Sequence, residues 1–303
     1  MEPCPACGTE LSEISEELGL ERLARAWSSL DPGAGDELRA LRRRGEIPGT
    51  VRIAHCRACS LEYGAPRFMV DSGWYERFEK YGPRWEYGAV LGRLGSVPKE
   101  IVEIGCGEGF FLKAAREAGH HGIGLDFNAS AVECARAQGL DARVGDLREL
   151  QNQQGKFDAI ALFHVIEHVG DPRQLLEDLG ALARTGTTLH ISCPGPNRYT
   201  TALFPQQRAG RRDVWDYPPF HQTRWNARAF ERVLERTGWR LLAVEEEPMT
   251  WLSLNANVLG QDPKYRASHG FARKVRLGLG LLRTALPALH YRGMSILVTA
   301  VRP

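Results

Sequence analysis

The chain has 303 residues, 43% hydrophobic and 25% charged, which suits one large domain or one and a half. Its 39 basic and 37 acidic side chains leave a net charge of +2, so the balance gives no reason to expect a nucleic-acid partner. The start MEPCPACGTE has no signal pattern and no run of about 18 apolar residues occurs, so the seven cysteines read as reduced thiols of a cytoplasmic protein.

Residues 1–66 read as a zinc-ribbon-like front piece. Cys4-Pro5-Ala6-Cys7-Gly8 is one knuckle and Cys56-Arg57-Ala58-Cys59 its partner. Four thiolates suit a closed, tetrahedral, structural zinc site, with an empty site or redox use as the other readings. Residues 8–55 lie between the knuckles, against roughly 15–20 in compact ribbons. Within Leu11–Glu46, Leu18, Leu20, Leu23, Ala24, Trp27 and Leu30 fall at helical spacing, broken at Asp31-Pro32-Gly33. That predicts one or two helices standing between the knuckles.

Residues 67–99 form an aromatic lead-in. Trp74, Phe78, Tyr81 and Trp85 share a helical face that Gly82-Pro83 interrupts, with Tyr75 and Tyr87 beside them. The stripe faces a core, or it is a flap that closes over a ligand. Tyr81 and Trp85 flank the break and are the flap candidates.

From residue 100 to 247 strands and helices alternate. Ile101–Ile104 is strand one, leading through Gly105-Cys106-Gly107-Glu108-Gly109 into a helix over Phe110–Ala118. Gly122–Asp126 is strand two, Ser130–Gln138 a helix, Ala142–Val144 strand three, followed by Gly145-Asp146. Phe157–Phe163 is strand four, Leu175–Ala183 a helix, Thr187–Cys193 strand five, Asn226–Thr237 a helix and Trp239–Glu247 strand six. This alternation predicts an α/β, doubly wound, mostly parallel sheet with helices on both faces. Glycines let a backbone approach a ligand, and free helix N–H groups point at it. The glycine turn, Asp126, Asp146 and His164 all fall at strand C-terminal ends, where such sheets bind ligands. A carboxylate at Asp126 can accept hydrogen bonds from both hydroxyls of a ribose.

The run Val102-Glu103-Ile104-Gly105-Cys106-Gly107-Glu108-Gly109 resembles the first motif of class I S-adenosylmethionine-dependent methyltransferases. The segment Phe157–Val169, with His164-Val165-Ile166-Glu167-His168, is similar to that of the ubiquinone-biosynthesis-like, small-molecule subgroup, as are Ser192–Asn197 and Asp216–His221. The resemblance covers roughly residues 75–303. It implies a Rossmann-like, seven-stranded sheet with an antiparallel last strand. It assigns Glu103, Gly105, Gly107, Gly109 and His164 to the turn and amino-acid end of the cofactor. Asp126 goes to the ribose and Asp146 to the adenine; Leu147, and Tyr81 as the flap candidate, are the further expected cofactor contacts. A cysteine-paired piece ahead of such a domain is similar to bacterial enzymes that methylate sugars and other small metabolites.

H-x-x-E-H also occurs in zinc peptidases, but here it leaves an apolar strand and Asp171-Pro172 starts the next helix. Three roles stay open for His164, Glu167 and His168: structural hydrogen bonds, acceptor chemistry, or a divalent ion near Glu167 and His168. A hydroxyl acceptor needs a base, for which His168 or His221 is the candidate. In the long loop over residues 194–225, Arg198, Tyr199, Trp215, Tyr217 and His221 are candidate acceptor contacts.

Met294–Val301 reads as the last strand, pairing with Trp239–Glu247 around an inserted helical cover over residues 248–293. Within it, Lys274–Leu289 is a basic amphipathic stretch, either a lid on the pocket or a peripheral membrane contact. The function expected is methyl transfer from S-adenosylmethionine to a small hydroxyl acceptor, a sugar, quinone-like molecule or secondary metabolite. The alternatives are ribosomal RNA base methylation, opposed by the near-neutral charge and the lack of an Asn/Asp-Pro-Pro-Tyr run, and a non-catalytic cofactor-binding scaffold.

Overall fold

The structure is a computed structural model that describes residues 2–70, 72–78, 81–196, 198, 209–249, 270–272, 274–275, 277 and 293–303. The chain starts with β1 (Ser12–Gly19), α1 (Leu20–Ser28), α2 (Pro32–Arg43), β2 (Thr50–Cys56) and β3 (Glu62–Gly64). The two helices stand between the knuckles as expected, and Asp31 caps α2 by accepting from Ala34 N at 2.8 Å, with Pro32 in the first turn. The helical spacing extends too far forward, however. Residues 12–19 pair with β2 from Ser12↔Cys56 to Gly19↔Thr50, with a register shift at Ser15. Glu17 sits opposite Arg52 in that register and accepts from its Nε at 2.7 Å. Charged cross-strand partners suit an exposed edge strand, and long-range pairing overrides a local helical pattern.

Trp27 of α1 is fully buried and meets Trp74, Phe78, Trp215 and Phe220 with ring centroids 4.7–5.8 Å apart. The forward half of the aromatic stripe, around α3 (Ser72–Glu76), therefore packs as a core between the front piece and the later loop. At Gly35 a Cβ would lie 2.4 Å from Ala24 O, so glycine is what lets α2 lie so close on α1.

After α4 (Trp85–Leu94) come β4 (Glu100–Ile104), α5 (Phe110–Glu117), β5 (His121–Asp126), α6 (Ala129–Ala137), β6 (Asp141–Val144), β7 (Phe157–Phe163), α7 (Pro172–Leu182) and β8 (Ala183–Pro194). The chain ends with β9 (Thr223–Arg224), α8 (Ala227–Arg236), β10 (Arg240–Glu246) and β11 (Ser295–Val301). The main sheet is seven-stranded, ordered β10-β11-β8-β7-β4-β5-β6. The pairs β4–β5, β4–β7, β5–β6 and β7–β8 are parallel, and β11 runs antiparallel to both β8 and β10. This is the doubly wound, Rossmann-like sheet with an antiparallel last strand that the sequence predicts. Its order reverses at β4, between β5 and β7, which opens a crevice at the strand C-terminal ends.

β9 does not join that sheet. It pairs with β3, Glu62↔Arg224 and Tyr63↔Thr223, so the front sheet runs β1-β2-β3-β9. Of the stretch Lys274–Leu289, only Lys274, Val275 and Leu277 fall among the described residues, where they are helical. No helix of the described residues is long and apolar enough to cross a membrane.

Candidate functional site

At the end of β4 the turn carries Gly105, Gly107 and Gly109 at φ +76°, +50° and +80°, the left-handed region that side chains rarely enter. Gly105 N and Cys106 N both donate to Leu125 O, at 2.7 and 3.0 Å, which binds the turn to β5. Asp126 ends β5 and holds the turn from the other side. Its Oδ2 accepts from Gly107 N at 2.7 Å and its Oδ1 from Asn128 N at 2.8 Å. Each carboxylate oxygen has a further lone pair for a ribose hydroxyl. Asn128 caps α6 through Ala131 N and donates from Nδ2 to Tyr81 Oη at 3.3 Å. A Cβ on Gly107 would lie 2.3 Å from Tyr81 Cδ1 and Cε1, so the Tyr81 ring rests on the glycine turn. The expected flap residue is thus on the expected cofactor seat. Trp85 is not; its Nε1 donates to Ser295 Oγ at 2.8 Å and packs inward.

Glu103 is 1% exposed, and burial first and the Asp126 charge second push its carboxyl well above the usual range. Asp146 caps the short helix over Leu147–Gln153, and the Arg148 guanidinium bonded to it at 2.6 Å holds its carboxyl low. Leu147 packs against the core beside it. The three glycines, Asp126 and Asp146 line the C-terminal ends of β4, β5 and β6, a cradle that fits a nucleoside with an amino-acid tail.

β7 delivers the next group. A Cβ on Gly105 would lie 2.3 Å from Val165 Cγ2, so the glycine turn and the β7 exit are in contact. His164 has φ +57°, a strained backbone for a non-glycine residue. Its Nε2 lies 3.2 Å from Glu86 Oε1 and its Nδ1 3.4 Å from Glu167 Oε1. Glu86 comes from α4, is 1% exposed and also accepts from Ser295 Oγ at 2.8 Å. Burial alone would favour a neutral ring, but the two carboxylates raise His164 above its usual value. Burial likewise opposes the Glu167 charge, but bonding to His164 holds that carboxyl down at about 2. Glu86, which contacts His164, and Ser295, which bonds Glu86, are buried neighbours of the site that sequence reasoning missed. Glu86 follows Trp85 in a segment dominated by aromatics, and no spacing motif ties it to His164.

His168 Nδ1 lies 2.6 Å from Phe220 O and donates to it, which leaves Nε2 with a free lone pair. Burial lowers this ring to about 4, so it is neutral at physiological pH. His221 stacks edgewise on His168 with centroids 5.0 Å apart, and its Nδ1 is 3.4 Å from Asp216 Oδ1. Asp216 in turn bonds Arg198 and stands 3.6 Å from Arg224 Nε. One donor atom each of Glu167, His168 and His221 lie within 4.8 Å of one another. Apart from the His164 contact, neither Glu167 oxygen has a hydrogen-bond partner among the described residues.

The structure brings Arg198 and His221 together, but Trp215 joins the Trp27 cluster and Tyr217 is fully buried, donating its hydroxyl to Glu16 at 2.7 Å. Tyr199 lies outside the described residues. The cysteines converge where β2 ends, in the same core cluster as Trp225 and Phe230. Cys4 Sγ is 3.6 Å from Cys59 Sγ and Cys7 Sγ 3.5 Å from Cys56 Sγ, with all four sulfurs within 4.8 Å. Gly8 N donates to Cys4 O and Ser60 N to Cys56 O, both at 2.8 Å, closing two knuckle turns around one point. Four thiol sulfurs around a point fit a tetrahedral zinc ion.

Residues 75–244 match the methyltransferase-domain family. A Mycolicibacterium smegmatis protein named "Probable S-adenosylmethionine-dependent methyltransferase" is 29% identical over 180 residues, 58% of this chain and 63% of that one. The match thus spans less than two thirds of that relative's length. A ubiquinone biosynthesis O-methyltransferase of Bordetella bronchiseptica is 27% identical over 229 residues, 65% of this chain and 94% of its own. A crystal structure of an S-adenosylmethionine-dependent methyltransferase from Mesorhizobium loti aligns with TM-score 0.50 and 22% identity, covering 72% of this chain and 97% of that one, a likeness of fold.

Proposed function

From the premise that this chain belongs to the methyltransferase-domain family and is an S-adenosylmethionine-dependent methyltransferase, we propose that it methylates a small molecule at a hydroxyl oxygen. The observation that carries this is the meeting of the glycine turn with the β7 exit, where His168 and His221 stand beside Glu167. Gly105, Gly107 and Gly109 let the backbone follow the cofactor; Asp126 takes its ribose, Asp146 and Leu147 its adenine edge. Glu103 and His164 fix its amino-acid end, and Tyr81 covers it. Bound there, S-adenosylmethionine supplies a methyl group already activated by its sulfonium charge. What the protein adds is alignment and exclusion of water.

The acceptor oxygen bonds to the methyl carbon as the carbon–sulfur bond breaks, the electron pair staying on sulfur. The hydroxyl proton passes to an imidazole. His168, neutral and with Nε2 unprotonated, and His221, held by Asp216 beside it, are the two candidate bases. The test is release of S-adenosylhomocysteine in the presence of hydroxyl acceptors. His168→Gln and His221→Gln should lower it by about 10²–10⁴-fold with cofactor affinity unchanged. Full activity in both variants removes the base from the mechanism.

A second reading concerns a divalent ion. Glu167, His168 and His221 present a carboxylate and two imidazoles at ligand spacing, and Glu167 Oε2 has no hydrogen-bond partner among the described residues. An ion there would polarise the acceptor oxygen as a Lewis acid. Calorimetric titration with manganese tests it, and equal heat from wild type and His221→Gln sinks it. Cys4, Cys7, Cys56 and Cys59 hold structural zinc in this reading, with no ligand position left for chemistry.

A further inference from the structure

Between the front sheet and the ends of β7 and β8 lies a cavity of about 230 Å³. The front sheet contributes His55, Ser60 and Glu62 to its wall, and the opposite side contributes Glu167, Arg198 and His221. The same cavity therefore touches both the cysteine-bearing piece and the residues assigned to acceptor chemistry.

Its charged groups are largely matched within the chain. Arg198 bonds Asp216, and Arg224 bonds Glu62 at 2.7 Å. Two buried polar groups are not matched among the described residues. Arg198 Nε, on a residue 4% exposed, has no acceptor, and Glu167, on a residue 1% exposed, has only the 3.4 Å His164 contact on Oε1 and no hydrogen-bond donor on Oε2. Leaving such groups unbonded in a buried setting is costly. A ligand that both donates and accepts hydrogen bonds recovers that cost; an apolar one does not.

Among the described residues the lining also offers an aromatic ligand little to stack on. Its aromatic ring outside the histidines is Trp225, which is 1% exposed, stacks on Phe230 at 4.6 Å and gives its Nε1 proton to Thr223 Oγ1 at 2.8 Å. Phe230 covers one face of that ring, and among the described residues the remaining apolar wall is small: Cys193, Pro194 and Pro196.

We infer that this cavity is the acceptor site, that it takes a compact, uncharged, hydroxyl-rich molecule rather than a prenylated aromatic one, and that His55 and Ser60 of the cysteine-bearing piece select it. This rests on the methyl-transfer reading above. The front piece is then part of the substrate site as well as a metal-held support. The acceptor hydroxyl lies between Glu167 and His221, gives its proton to His221, the candidate base that lines the cavity, and receives the methyl carbon, leaving S-adenosylhomocysteine.

The experiment uses the full chain, methyl-labelled S-adenosylmethionine and a protein-free metabolite extract divided into aqueous and chloroform phases. Label should move into small molecules of the aqueous phase. His55→Trp, which fills the cavity from the front sheet, should slow that transfer by about tenfold or more. Ser60→Asn is the second plug, because asparagine tolerates the φ of +62° found there. Both variants should bind S-adenosylhomocysteine as wild type does. Label in the chloroform phase, no label in the aqueous phase, or undiminished transfer in both plugged variants overturns the assignment. Wild-type protein that fails to bind S-adenosylhomocysteine instead overturns the methyl-transfer reading beneath it.

Discussion

Glu62 and Arg224 face each other across the β3–β9 pair, with Arg224 Nη1 2.7 Å from Glu62 Oε2. Arg224 Nε then approaches Asp216, and Asp216 meets His221. Arg212 also bridges Glu62 to Glu16 of β1. Two charged side chains thus connect the front sheet to a candidate base. Glu62→Gln leaves two arginines short of a partner in a part-buried setting, and should cost about 2–3 kcal/mol of stability. Amide exchange over residues 221–226 should rise with it. A denaturation midpoint equal to wild type would mean that solvent already screens the pair.

Asp126 carries the cofactor seat because its two oxygens hold Gly107 N and Asn128 N. Asp126→Ala removes two charge-assisted bonds and the ribose acceptor together. Affinity for S-adenosylhomocysteine should fall by about 10²-fold or more, since each such bond is worth about 1.5–3 kcal/mol. Calorimetry showing wild-type affinity contradicts the assignment.

At Gly107 the expected result separates binding from folding. An alanine Cβ would meet the Tyr81 ring at 2.3 Å, the far part of a side chain that can swing away, at a φ of +50°. The thermal midpoint should drop only modestly, by about 1–2 kcal/mol in stability. Cofactor affinity should fall by about tenfold or more, because the methyl group stands where the ligand must pass. A variant that loses stability but binds normally would remove Gly107 from the seat.

Acid should destabilise the fold through His190 of β8. The ring is 1% exposed, with Thr188 Oγ1 3.1 Å from Nε2 and Thr299 Oγ1 3.4 Å from Nδ1. Burial first, and the Arg93 charge second, lower it to about 3. Between its unfolded value near 6.5 and that folded value the unfolded chain binds more protons, so stability falls as pH drops through this window. At about pH 4.5 the loss should be roughly 2–3 kcal/mol. His190→Gln should be less stable than wild type at neutral pH yet lose less on acidification. Parallel urea midpoints for the two proteins across that window would assign the acid sensitivity elsewhere.

The cysteine cluster predicts about one zinc ion per chain on metal analysis after anaerobic purification. Cys59→Ser should remove it and unfold the front sheet at lower denaturant than the rest, because metal binding and folding of such a piece are one equilibrium. Metal-free protein with an unchanged unfolding profile would leave the four thiols without a role in stability.

How much of this was legible in the sequence depends on the range of the interactions. Phe157–Phe163 has the same ends in both readings because a buried parallel strand is apolar throughout and bounded by polar turns. Asp126 and the glycines were legible because a tight turn restricts residue type locally. β1 was not: Ser12–Gly19 carries three glutamates and a single buried side chain, and only its pairing with a strand far along the chain makes it extended. Glu86 was hidden for the same reason, since its partners His164 and Ser295 lie far along the chain. Cavity walls taken from both sheets have no linear signature at all.

The pairing of β3 with Thr223–Arg224 also orders events in time. As the protein emerges from the ribosome, its first three strands appear long before the strand that completes their sheet. At typical synthesis speeds the delay is on the order of ten to thirty seconds. During that wait β3 presents an open edge, and the thiols of Cys4, Cys7, Cys56 and Cys59 are already together in the emerged chain. Metal captured in that interval would close the early segment first and leave a prepared edge on which the later segment can dock, so zinc supply should govern the yield of folded protein as well as its stability.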